Sequence, residues 1–203
     1  MKVVTDVTAI PKPSTRERLL SAANELFYEF GISNVGIERV IAKAGVAKAS
    51  LYDCFGSKEE LARSYVQSRD ERRRERVTAR LANLATPREK LLGVFDLLAE
   101  NASQADFRGC AFNRAGAESA PGTKVRAACE SARDWMLCLF RSLANDAGVV
   151  GAEDLARRLA LLYDGASTSA HFGGGAHAVA AARDSADVLV RSAEARASEK
   201  TSS

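Results

Sequence analysis

Leu19, Leu20, Ala23, Leu26, Phe27 and Phe30 recur at helical spacing, so the chain opens with a helix that packs one face firmly. Ser14 or Thr15 can cap its start, and Gly31 ends it. Val40, Ile41 and Ala44 mark a second apolar face. It breaks at Gly45, a residue suited to the left-handed conformation that closes helices, and Val46 restarts the pattern. A third, short helix is predicted from Lys48 to about Cys54, with Leu51 and Phe55 inward and Lys48, Ser50, Tyr52 and Asp53 outward. Gly56-Ser57-Lys58 then starts a fourth, with Ser57 as its N-cap.

The fourth helix turns Leu61, Ala62, Tyr65 and Val66 inward and continues through the run from Arg69 to Arg76. Mixed signs three and four positions apart predict a solvated face with its own ion pairs there. Thr86-Pro87 opens the next helix, lined by Leu91, Leu92, Phe95, Leu98 and Ala99. The stretch 106–122 is irregular, with a short helix expected around 111–119. Thr123 opens a long helix carrying Cys129, Ala132, Trp135, Met136, Leu139 and Phe140. Two more are predicted, from about 153 to 171 and from about 176 to 197, separated by Phe172-Gly173-Gly174-Gly175. No segment reads as a strand. The expected fold is all-α with about nine helices: a three-helix head with a helix-turn-helix on a larger helical body. Residues 1–13 are expected to be a disordered arm, 14–60 the head, 61–197 the body and 198–203 a disordered tail.

The chain has 203 residues, 46% hydrophobic and 27% charged, the balance of a globular protein. Its net charge of +3 is too small to make the whole surface a polyanion binder, so a nucleic-acid site must come from local charge placement. No apolar run is long enough to span a membrane, and the first residues lack a signal-peptide core, so a cytoplasmic location is expected. Cys54, Cys110, Cys129 and Cys138 show no C-x-x-C spacing and lie far in sequence from His171 and His177. Neither a metal site nor a cofactor is expected. A thiol-responsive role for Cys54 or Cys110 is the alternative reading. A thiol enzyme built on Cys110 and His171 lacks a nucleophile motif. The Gly173–Gly175 run lacks the Lys-Ser/Thr ending of a phosphate loop.

Helix, tight turn and polar second helix suit a DNA major groove, although an ordinary helical hairpin or a protein-binding adaptor shares the outline. Lys58 falls at a helix N-terminus, where an ammonium and backbone N–H groups suit a phosphate. The residues in sequence are Thr15-Arg16, Leu26-Phe27, Phe30-Gly31, Ile37 to Ala44, Ala44-Gly45-Val46, and Leu51-Tyr52-x-x-Phe55-x-Ser57-Lys58-Glu59-Glu60-Leu61. This pattern, over about residues 14–66, resembles the tetracycline-repressor (TetR) family of bacterial transcription regulators. The resemblance implies a homodimer that holds a small ligand in its body and leaves a palindromic double-stranded operator when that ligand binds.

Carried over position by position, Lys48, Ala49, Ser50, Tyr52 and Asp53 fall where the family meets DNA. Lys58 falls at the phosphate contact, and Thr15 and Arg16 at the edge near the backbone. Ala47, Asp53 and Cys54 depart from the commonest pattern, and Asp53 could accept from a cytosine amino group. For the ligand, expected to be mostly apolar, the candidate walls are Phe95, Leu98, Phe107, Phe112, Trp135, Met136, Leu139 and Tyr163. The candidate polar groups are Asn113, Arg114, Glu118 and His171. The dimer is expected through 153–197, using Leu155, Leu159, Leu162, Tyr163, Val179, Val188 and Leu189, unless these stripes pack within one chain.

Overall fold

A computed structural model of the chain describes residues 12–201; the expected arm up to residue 11 lies outside the described residues. Helix starts follow local capping chemistry. Ser14 accepts from the Glu17 N–H and Glu17 reaches back to Ser14, which opens α1 (Thr15–Phe30). α2 (Ile37–Ala44) closes on Gly45, whose φ of 63° and ψ of 44° are the left-handed pair that a side chain would strain. α3 (Lys48–Phe55) follows. Ser57 accepts from the Glu60 N–H and starts α4 (Lys58–Ala82). A Thr86–Glu89 capping box with Pro87 starts α5 (Pro87–Ala102).

The irregular stretch yields the short α6 (Ala111–Glu118), and Thr123 caps α7 (Lys124–Asp146). α8 (Ala152–Ser169) is joined to α9 (Gly175–Thr201) by a kink over Ala170–Gly174, where Phe172 and Gly173 leave helical angles. Among the described residues there are nine α-helices and no strand. α9 runs past the predicted end at 197, so residues 198–201 of the expected tail are helical and 202–203 lie outside the described residues. No helix among the described residues is long and apolar enough to cross a membrane.

Two apolar clusters organise the molecule. One joins α1–α3 and the first half of α4 to α6 and the first half of α7, through Phe27, Leu51, Leu61, Tyr65, Phe112 and Ala132. The other fills the body between the end of α4, α5, the end of α7, α8 and α9. The boundary expected between residues 60 and 61 falls inside the continuous helix α4, which contributes to both clusters. Leu155, Leu159 and Val179 are buried in the body of the single chain, which corrects their expected place on a partner-facing surface. The large apolar side chains left outside in this region are Leu161 (72% exposed), Phe172 (82%) and Val188 (60%).

Candidate DNA-binding face and effector cavity

Leu51 and Phe55 pin α3 to the head, so its other side faces out. Lys48, Ala49, Tyr52 and Asp53 are exposed and Ser50 is half-buried. Ala47 occupies the N-cap without a side-chain hydrogen bond. On α1, Thr15 is half-buried and Arg16 is exposed, its guanidinium 4.9 Å from the centre of the Phe55 ring at the end of α3. Lys58, the first residue of α4, forms no ion pair among the described residues.

Lys48 is already engaged. Its Nζ lies 2.7 Å from Glu38 Oε1, and both side chains are more than half exposed. That hydrogen bond holds the Lys48 ammonium above its ordinary pKa. The pair is exposed and screened by solvent, so a nearby phosphate can displace Glu38. Glu38→Gln removes a charge that repels DNA and frees Lys48. It is expected to tighten DNA binding about two- to fivefold, read by fluorescence anisotropy. Unchanged or weaker binding would exclude this competition.

Beside the head, α4, α5, α8, the 106–112 stretch and Tyr28 of α1 line a cavity of about 360 Å³ that opens to solvent. Of the candidate ligand walls, Leu98, Phe107, Phe112 and Tyr163 line it. Met136 lines a second, adjoining cavity of about 210 Å³ that shares Arg73, Cys110 and Tyr163 as a common wall. The other expected residues lie elsewhere. Phe95 is fully buried in the core, its ring centre 5.9 Å from that of Phe140. Leu139 packs against the body cluster. Trp135 lies outside both linings, with the Arg73 and Arg74 guanidinium carbons 5.4 and 5.1 Å from its ring centre. Asn113 Nδ2 donates to Asp164 at 3.4 Å, and His171 is exposed.

The sequence reading missed the arginines. Arg69, Arg73 and Arg76 all line the cavity. The run expected to be a solvated face turns Asp70 and Arg73 inward, with side chains only 12% and 11% exposed. A signal was present: Val66, Asp70, Arg73 and Val77 continue the helical stripe set by Leu61, Ala62 and Tyr65. The lining is therefore not the mostly apolar one expected. Burial pulls the Arg69 guanidinium below its ordinary pKa and pushes the Tyr163 hydroxyl up to about 12.

Tyr28 connects this cavity to the head. Its hydroxyl donates to the Gly109 carbonyl at 3.1 Å and accepts from the Arg108 N–H at 2.9 Å. Arg69 stacks on its ring, 3.7 Å from the centre. Arg114 and Glu118, expected at the ligand, instead clamp the head. Arg114 Nη1 donates to the Tyr28 carbonyl at 2.7 Å, and Glu118 accepts from the Ser33 N–H at 2.8 Å. Gly31 admits that contact, since a Cβ there would stand 2.5 Å from Glu118 Oε1 and its φ is 87°. Lys124 pairs with Glu60 and holds its carboxyl below the ordinary pKa, tying α7 to α4.

The cysteines lend no support to the thiol-responsive alternative. Burial raises the Cys110 and Cys129 thiols, which suppresses the reactive thiolate. No group of His, Cys, Asp and Glu among the described residues is placed to hold a metal ion.

The family model described as bacterial regulatory proteins, tetR family, matches residues 19–65. A TetR-type transcriptional regulator from Streptomyces avermitilis, SAV143, is 32% identical, with 86% of this chain and 99% of that one covered and a TM-score of 0.74. SCO4454, a TetR-family regulator from Streptomyces coelicolor, superposes with a TM-score of 0.85 at 29% identity, over 89% and 96% of the two chains. CifR, at 22% identity and a TM-score of 0.76 over 88% and 98%, shares the fold and was solved with a 26-base-pair double-strand operator. Matched by sequence alone, the chain spans 38% of the length of the Mycobacterium tuberculosis HTH-type regulator Rv1255c, at 32% identity over 76 residues. A helix-turn-helix head on a helical body is the architecture of TetR-type transcriptional regulators. The chain belongs to the TetR family.

Proposed function

We propose that the protein is a homodimeric repressor that binds a two-fold symmetric operator and leaves it when a small ligand fills the cavity. Residues 14–60 form the DNA-binding unit and 61–197 the ligand-binding and dimerisation unit, acting in the cytoplasm. Lys48, Ala49, Ser50, Tyr52 and Asp53 face the major groove, while Thr15, Arg16 and Lys58 contact the backbone. CifR, which shares the fold, was solved with double-strand operator DNA, which supports duplex DNA as the partner.

The observation that carries the reading is helix α4. It starts at Lys58 and, three turns later, supplies Arg69, Arg73 and Arg76 to the cavity wall. A rigid helix converts a shift at the arginines into a shift at Lys58. The stack of Arg69 on Tyr28 adds α1 to the same lever. A small tilt suffices, because two heads on one duplex must keep half-sites about one helical turn apart.

Lys58→Ala tests the docking. It should weaken binding to operator and random duplex alike, and lower the slope of log affinity against log salt by about one. Electrophoretic and anisotropy titrations over a salt series measure both. Unchanged affinity and slope would remove Lys58 from the interface.

A further inference from the structure

The cavity's charge goes beyond what the family assignment carries. Arg69, Arg73 and Arg76 stand at i, i+4 and i+7 on α4, one face of a helix, and all three reach the cavity. Asp106 is the carboxylate in the lining, and it is exposed to solvent. Asp70 offsets Arg73 at 2.6 Å but also binds Arg74 at 2.6 Å, so one negative charge serves two guanidiniums. Asp164, on the far side of the shared wall, is taken by Arg133 at 2.6 Å. Arg69 and Arg76 form no ion pair among the described residues. Arg76 donates to the neutral Asn101 side chain at 3.0 Å. The Nε atoms of Arg69 and Arg73 are buried without an acceptor.

Buried donors without partners are costly, and a wall with three guanidiniums against one shared carboxylate favours an occupant that supplies acceptors and negative charge. We propose that the effector is a small organic acid. Its carboxylate is held by Arg69 and Arg76, with Arg73 behind them, and its apolar part lies against Leu98, Phe107 and Phe112. Guanidiniums match a carboxylate through paired N–H···O bonds. A cationic drug-like amine is repelled by the same wall. This inference rests on the reading of the cavity as the effector site. Tyr28, stacked on Arg69, gives the bound carboxylate a direct route to the head.

The test uses three probes of one shape: phenylbutyrate, phenylbutyramide and phenylbutylamine, titrated calorimetrically into the full chain without DNA. The acid should bind at least about tenfold tighter than the amide, and the amine most weakly. Arg69→Gln and Arg76→Gln should each shrink that preference. Arg76 is exposed at the cavity mouth, so its variant retains the wild-type melting curve and remains informative if Arg69→Gln fails to fold. An acid no tighter than the amide, no measurable binding of any probe, or a preference that survives Arg76→Gln and a folded Arg69→Gln would overturn the proposal. Operator binding by the unliganded protein is measured separately. Its absence would defeat the repressor reading and leave the calorimetric preference standing on its own.

Discussion

Leu161→Asp is expected to convert the protein from dimer to monomer and to lower operator affinity by about two to four orders of magnitude. Leu161 is 72% exposed on α8, so a single chain tolerates the carboxylate with a stability change within about 0.5 kcal/mol. Across a dimer interface the same carboxylate is buried without a partner, which is strongly unfavourable. Two linked heads bind one palindrome far more tightly than either alone, because the second binding event is intramolecular. Losing the link therefore costs affinity without touching α3. Phe172 and Val188 stand out from the same pair of helices and their junction, and Val188→Asp is the companion variant. Sedimentation at micromolar concentration reads the mass, and anisotropy reads the operator. A dimeric mass in both variants would move the interface elsewhere.

Phe95→Ala is expected to destabilise the fold by about 3–5 kcal/mol, a drop of about 6–20 °C in melting temperature. Phe95 is fully buried, and its ring meets those of Phe140 and Tyr163 at centre distances of 5.9 and 6.1 Å. Truncation leaves a void between α5, α7 and α8, the three helices that hold the body together. Phe107, half-buried on the cavity wall, is the contrast: Phe107→Ala should cost far less stability and alter ligand binding instead. Calorimetric melting separates the two. A loss below about 1 kcal/mol for Phe95→Ala would contradict its place in the core.

These two residues mark the limit of periodicity as a guide. Apolar character tells which positions avoid water, fully for Phe95 on α5 and in part for Phe107 in the irregular stretch after it. It does not tell whether a ring meets another ring or a cavity. Leu159 and Leu161 raise the same difficulty. Both belong to an apolar-rich helix, yet Leu159 is fully buried within the chain while Leu161 projects from it. Leu159, expected at a dimer interface, faces the chain's own core, and Leu161 marks the side of α8 that stays exposed.

The sequence by itself determined what depends on neighbours within about four positions. Ser14, Ser57, Thr86 and Thr123 cap helices because each offers an oxygen to an N–H three residues on. Gly45 turns the chain between α2 and α3 because no side chain resists its left-handed angles. The polar outer face of α3 follows from Leu51 and Phe55 alone. Only the tertiary structure decided the fate of Arg69 and Arg73. A long arginine with ion-pairing neighbours suits a solvated helix surface, and its guanidinium can also stack on aromatic rings from distant segments. Tyr28 from α1, Phe112 from α6 and Trp135 from α7 supply those rings, brought together by packing over long sequence separations. That convergence turned a charge run into a cavity wall: the helical stripe turns Arg73 inward, but what it meets there is set by distant segments.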